Sequence, residues 1–287
     1  MSIAPERCRL VFQKLERDLD RLSAEPEANR VHRFRTGVRR LQTLLEDLCP
    51  ARDRNQKRLL KLLARIRKKA GKVRDLDVQL AALRSLKFPQ EPRRKTQLMH
   101  QLIELRGQRE KKLSKALSRE AVREIHKRLK RAGKDLNPDG NRDPLSVARQ
   151  ILEPMAKADG FPTEELVHQY RLLAKRARYA AEFASKSPES AQFIAQIERV
   201  QDALGDWHDW LTLTQAAAKR LGDVRESSLV AALHNVTGAK FRNAVTSLSA
   251  SPVAAFPATR APQREQGSTR KRQSRTSEPA ASAPTAA

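Results

Sequence analysis

Two short stretches of this chain place a histidine and several basic residues at the same intervals. VHRFRTGVRRLQ at 31–42 carries His32, Arg35, Arg39 and Arg40. VHQYRLLAKRAR at 167–178 carries His168, Arg171, Lys175, Arg176 and Arg178, at an offset of 136 residues. Steps of 3 and 4 return a side chain to the same helix face. Each stretch therefore builds a nitrogen-rich stripe beside an apolar seam, formed by Val31, Phe34, Val38 and Leu41 in the first and by Val167, Tyr170, Ala174 and Ala177 in the second. Guanidinium forks grip phosphate oxygens bidentately, ammonium groups add mobile charge, and imidazoles join as donors once a neighbouring anion favours their protonated form. One such helix alone reads as a solvated basic face. Recurrence at matched registers turns the reading toward capture of an anion.

A longer stripe follows, in which Arg54, Arg58, Lys61, Arg65, Lys68 or Lys69, and Lys72 recur at helical spacing opposite Leu59, Leu62, Leu63, Ile66 and Val73. No acidic residue interrupts it. Like charges at i,i+4 destabilise a helix by a few tenths of a kcal/mol each, so the pattern argues for an anionic partner. The matching region of the second half, IAQIERVQDALG at 194–205, is mostly neutral or acidic, which predicts a binding surface weighted to the first half.

Carboxylates near these stripes admit two readings. Asp202, Asp206 and Asp209 fall at helical steps with His208 beside the last, as a metal site would need. Asp75 and Asp206 also stand where they would cap following helices, and other acids where they would orient basic side chains; this second reading is preferred. His100, His126 and His234 lack ligand-spaced neighbours and read as helix-surface residues. No P-loop, nucleophile elbow or Gly-rich dinucleotide turn is visible, and no catalytic residue, metal or cofactor is expected.

The elements that must position these stripes read as helices throughout: apolar residues recur at spacings of 3 and 4, and alternating β-branched runs are missing. Helices are predicted at 3–23, 28–49, 53–73, 75–87, 93–117, 119–133, 144–158, 163–185, 189–205, 207–221 and 224–248, with Pro or Gly at the breaks, among them Pro26, Pro89, Gly205 and Gly222. AGKVRDLDV at 70–78 weakly matches LGDWHDWL at 204–211, pairing Gly71 with Gly205 at an offset of 134. Two similar offsets in order predict two related antiparallel helical bundles, 1–135 and 142–250, packed about a pseudo-twofold axis and joined by a linker at 137–142. Trp207 and Trp210 are expected to pack the second bundle.

The chain has 287 residues, 58 of them Lys or Arg against 33 Asp or Glu, for a net charge of +25. That charge implies a polyanionic partner. Residues 251–287 are dense in Pro, Ser, Thr, Ala and Arg and read as a disordered basic tail, so most of the charge belongs to the folded body. No apolar run approaches the roughly 18–20 residues that span a bilayer, and the first residues lack an apolar signal core, so the cytoplasm is the expected compartment. Cys8 and Cys49 read as buried reduced thiols.

The doubled His-x-x-Arg-x-x-x-basic-basic pattern, VHRFRTGVRR at 31–40 and VHQYRLLAKR at 167–176, resembles that of the CHAD domain, the conserved-histidine α-helical domain. KVRDLDV at 72–78 and IERVQDALGDWHDW at 197–210 resemble the acidic segments that follow each bundle in that family. The resemblance spans about residues 3 to 248. It implies an all-α fold of two bundles around a basic central pore or groove that binds inorganic polyphosphate without catalysis, in a role of targeting or regulating polyphosphate stores or granules. Carried over, it points to His32, Arg35, Arg39 and Arg40, and to His168, Arg171, Lys175 and Arg176; the stripes add Arg178, Arg58, Lys61, Arg65, Lys69 and Lys72. The acidic strand-rich sequence of a CYTH triphosphatase, a frequent neighbour of the family, is missing here.

Nucleic acid is the alternative partner, because the same charges would hold its backbone without reading sequence. Against it, aromatic residues make up only 4% of the chain, and no zinc-finger, RNA-recognition, KH or basic-zipper pattern is present. The tail's STRKRQSR at 268–275 would bind nucleic acid weakly. No helix combines a basic face with the broad aromatic face of an interfacial anchor, so a membrane partner is not expected.

Overall fold

The computed structural model describes residues 3, 5–49, 53–134, 136, 142–156 and 162–250; the linker at 137–142, apart from Arg142, and the tail from Ser251 lie outside the described residues. Among the described residues the fold is all-α. Its helices are α1 (Pro5–Ala24), α2 (Ala28–Thr43), α3 (Arg54–Ser85), α4 (Pro92–Ser114), α5 (Arg119–Lys134), α6 (Pro144–Ala156), α7 (Glu164–Ala181), α8 (Pro188–Leu221) and α9 (Ser228–Ser249), and a π-helical turn, Leu44–Leu48, prolongs α2. The extended pairing among them is a lone antiparallel bridge between Ile3 and Ala184.

Two expected breaks are absent. The helices predicted at 53–73 and 75–87 are one 32-residue helix, α3, and those at 189–205 and 207–221 are one 34-residue helix, α8. An interior glycine costs a helix only about 1 kcal/mol relative to alanine. That cost is small beside the buried seam running through Gly71 as Ala70, Val73, Leu76, Leu80 and Leu83, and through Gly205 as Leu204, Trp207, Leu213 and Ala217. Asp75 and Asp206 consequently lie inside helices and cap nothing. Capping side chains include Asp53, Thr163, Ser187 and Ser227, each accepting from a backbone N–H three residues on, as Ser118 and Asp143 also do before α5 and α6. At Gly222 α8 does end: its φ of 86° favours glycine, and a Cβ there would collide with Glu226.

Asp53 accepts from the Gln56 N–H at 2.6 Å at the head of a helix whose first turn has no acidic side chain. Asp53→Ala is expected to cost about 1 kcal/mol of stability, read as a shift of the urea midpoint at unchanged slope.

Three apolar cores hold the helices. The first joins α1, α2, the first half of α3, the end of α4 and α5, and includes the buried Cys8 and Cys49; burial pushes the Cys8 thiol up to about 12. The second joins α6, α7, the first half of α8 and the end of α9, with Trp207 fully buried in it. The third, unforeseen from two separate bundles, gathers the far ends of α3 and α8 with α4 and α9, and Trp210 packs on this one. Helices of 32 and 34 residues run roughly 48–51 Å at 1.5 Å per residue, too far for either bundle to cover alone. Their ends are buried against each other instead. α2 and α7, α3 and α8, and α4 and α9 begin 136, 134 and 136 residues apart.

Candidate functional site

α2 and α7 pack against each other, as do α3 and α8, and the repeated stripes meet where these pairs cross. A cavity of about 250 Å³ is lined by His32, Arg35, Thr36 and Arg39 from α2, Arg67, Arg74, Asp75 and Val78 from α3, Arg171, Leu172, Lys175 and Tyr179 from α7, and His208, Asp209 and Thr212 from α8. A second cavity, of about 650 Å³, opens between α1, α2, α7 and α8 and adds Lys14, Arg17, Arg21, Arg33, Arg40, Arg178 and Gln201. The two share His32, Thr36, Lys175 and Tyr179. They are two ends of one cleft with these four side chains at its waist. The smaller end carries six Arg or Lys against Asp75 and Asp209, the larger end seven against Asp18.

Electrostatics in the cleft reflect crowded cations. Burial, then repulsion from Arg171, Arg35 and Arg178 against the pull of Asp209, lowers the Lys175 ammonium to about 7. Burial followed by Arg171, His168 and Lys175 lowers His208 to about 3, so this imidazole is neutral. His32 is lowered by burial first and then by Arg74, Arg35 and Lys175. Asp75 and Asp209 are raised by burial against the pull of neighbouring arginines. Asp75 lies 3.7 Å from Arg35, beyond hydrogen-bond reach. Several nitrogens have no partner: the Nε atoms of Arg67 and Arg171 and Nδ1 of His208 are buried without a hydrogen bond. Orphaned donors of that kind are costly unless something accepts from them.

The His168 and His208 rings lie with centroids 4.9 Å apart, tilted by 40°, and His208 and His32 both feel Lys175. His32 lines both cavities, whereas His168 lines neither and reaches the smaller one only through its contact with His208. Arg35, Arg39, Arg171 and Lys175 line the smaller end, and Arg178 the larger. Tyr179 lies between two guanidiniums, Arg178 at 5.3 Å and Arg40 at 5.8 Å from its ring centroid.

Arg40 and Arg176 have other partners. Arg40 Nε donates to Glu182 at 2.5 Å, and Arg176 Nε donates to Asp47 at 2.9 Å with a second ion-pair contact from its Nη2. Arg176 is the counterpart of Arg40 at the 136-residue offset, and Glu182 that of Glu46, next to Asp47. A second exchange follows the same pattern: Arg7 donates to the Glu182 carbonyl at 2.5 Å and Arg142 to the Asp47 carbonyl at 2.8 Å. These arginines tie α1, α2 and the turn after it to α7 and to the segment before α6.

Arg58, Lys61, Arg65, Lys69 and Lys72 line neither cavity. Seven residues apart, Arg67 and Arg74 share the inward side of α3, and at 100° per residue the stripe lies roughly 120–200° around the helix from them. Arg67 and Arg74 are the residues sequence reasoning missed; Arg74 is the counterpart of His208 at the 134-residue offset, a signal present in the repeat. Lys14, Arg17 and Arg21 of α1 were also missed, since α1 carries no copy of the motif.

The acidic ladder of α8 is split, with Asp206 bound to Lys240 at 2.7 Å and Asp209 in the cleft. No group of three or more His, Cys, Asp or Glu among the described residues is placed to hold a metal ion. Asp77 leaves the cleft and bonds Arg106 of α4 at 2.9 Å. His126 ties α5 to α1 between Glu16 at 2.9 Å and Asp20 at 2.7 Å, while His100 and His234 are exposed.

The family model for the CHAD domain matches residues 6–218. The chain belongs to the CHAD domain family. Its fold is that of the CHAD domain from the plant Ricinus communis, which it matches with a TM-score of 0.62 at 19% identity, over 88% of this chain and 91% of that one. PptA from Streptomyces chartreusis matches with a TM-score of 0.56 at 17% identity, over 88% of this chain and 98% of that one. No curated protein matches the chain. The CHAD match covers α1 through most of α8 and so contains every lining residue of the two cavities. No helix among the described residues is long and apolar enough to cross a membrane.

Proposed function

We propose that this chain binds inorganic polyphosphate in the cleft between α2, α3, α7 and α8, without hydrolysing it, and thereby targets or regulates polyphosphate stores in the cytoplasm. The observation that carries the reading is the convergence of Arg35, Arg39, Arg67, Arg74, Arg171 and Lys175 on a narrow space with orphaned donors. The starts of paired helices at near-constant offset and the reciprocal arginine ties support a pseudo-twofold arrangement of two bundles, because a twofold interface repeats each contact in exchanged roles. Such an arrangement makes the cleft a basic groove with one stripe on each wall.

Polyphosphate suits this groove chemically. It is a chain of closely spaced charges without bases, so it needs neither room nor stacking partners for bases. Its oxygens accept from the Arg67 and Arg171 Nε atoms, and its charge relieves the repulsion that depresses Lys175 and His32. Membership of the CHAD family and the resemblance of the doubled histidine motif point the same way.

Polyphosphate at about 100 times its Kd should stabilise the native state by about 2.7 kcal/mol. For a body of this size that is a Tm rise of roughly 5–10 °C at low ionic strength, fading as salt rises. No rise would reject the proposal. Phosphate release from polyphosphate in the presence of Mg²⁺ or Mn²⁺ would reject its non-catalytic part.

A further inference from the structure

The stripe that the cleft does not use has a surface of its own. Between Arg54 and Lys72, α3 carries nine Lys or Arg and no Asp or Glu. Arg54, Lys57, Arg58, Lys61, Arg65, Lys68 and Lys72 are exposed, and among the described residues none of the seven makes an ion pair. They cover a length of roughly 27 Å on a convex helix surface. Lys69 extends this face toward the end of α4, where its ammonium donates to the Lys112 carbonyl at 3.3 Å and the exposed Lys111, Lys112 and Lys115 follow.

We propose that this outer face of α3, with the end of α4, docks the phosphate backbone of duplex nucleic acid, independently of the cleft. Charge complementarity selects a polyanion, since nothing acidic between Arg54 and Lys72 offsets the mutual repulsion of these cations at i,i+3 and i,i+4. Shape distinguishes the partner from the one in the cleft. A thin flexible chain is held best where walls surround it, whereas a convex row touches its partner from one side and suits a stiff polymer that presents its own rail of phosphates. Single strands are disfavoured: α3 contains no Phe, Tyr or Trp, so the stacking platforms by which they are gripped are absent from it. The docking is sequence-independent and rests on counterion release.

The test uses the full chain, its tail unchanged in every variant, and a fluorescently labelled 24-base-pair duplex of arbitrary sequence. Lys61→Glu, Arg65→Glu and Lys68→Glu combined should weaken duplex binding at least about tenfold and lower the salt slope by roughly 2–3, near 0.9 for each phosphate no longer neutralised. The triple variant should keep wild-type helicity and the full thermal shift with inorganic tripolyphosphate, which reports the cleft separately. Arg39→Glu with Lys175→Glu should leave duplex binding within about twofold. Unchanged duplex affinity in the triple variant overturns the proposal. So does loss of duplex binding in the cleft variant, which would place the duplex at the cleft, or a triple variant that loses long-chain polyphosphate but keeps the duplex. Should the triple variant misfold, Lys61→Gln, Arg65→Gln and Lys68→Gln must show the same ordering of effects or the proposal fails.

Discussion

Arg39→Glu combined with Lys175→Glu is expected to lower polyphosphate affinity by on the order of 10²–10⁴-fold while leaving the helical content unchanged. The two residues are counterparts at the 136-residue offset and both line the smaller cavity, Arg39 exposed at its edge and Lys175 half-buried at the waist. Each hydrogen bond to a charged group contributes about 1.5–3 kcal/mol, so losing two gives about 3–6 kcal/mol, and each factor of ten corresponds to 1.4 kcal/mol. Arg39 belongs at the low end of that range and Lys175 at the high end. Neither residue contributes to an apolar core, so circular dichroism should report wild-type helicity and calorimetry should report the weakened binding. Affinity within threefold of wild type would remove the cleft from the binding account.

The second large effect is on pH. Lys175 at about 7 is mostly uncharged at pH 8 in the ligand-free chain. A polyanion in the cleft offsets the repulsion from Arg171, Arg35 and Arg178 and returns the ammonium toward its ordinary range, so binding takes up close to one proton at that pH. Linkage then weakens affinity by just under tenfold per pH unit between about pH 7.5 and 9. Stability of the ligand-free chain should move the opposite way. The folded-state value of Lys175 lies below the unfolded one, the unfolded chain binds more protons between about 7 and 10, and this group therefore adds stability as pH rises through that window. Titration calorimetry in two buffers of different ionisation enthalpy measures the uptake directly. Lys175→Arg, charged throughout, should bind with a flat pH profile over the same range; a slope like that of wild type would assign the proton elsewhere. His32, lowered in the same cleft by burial and then by Arg74, Arg35 and Lys175, would add its own uptake below the ordinary imidazole range.

The site was legible in the sequence to the extent that it repeats. His32, Arg35 and Arg39, and Arg171 and Lys175, which line the cavities, could be found because helical spacing is a local property and the same spacing occurs twice; His168, matched by the same spacing, lines neither cavity. The all-α character, the apolar seams of α2 and α7 and the segment that contains the cleft followed from the same periodicity. Glycine misled at position 205, because a helix-breaking preference of about 1 kcal/mol is decided locally while the burial that overrides it is collected along the whole of α8.

What only the tertiary structure decided is which way each charge faces. Arg67 and Lys68 are neighbours in the chain and chemically near-equivalent, yet one turns into the cleft and the other into solvent, because α2 and α8 happen to close over one side of α3. Arg40 and Arg176 carry the motif as well as Arg39 and Lys175 do, and are taken up by Glu182 and Asp47 across the repeats. Spacing along a helix says which side chains stand together. Direction comes from the helices packed around it, and a sequence holds that information only through contacts between residues far apart in the chain.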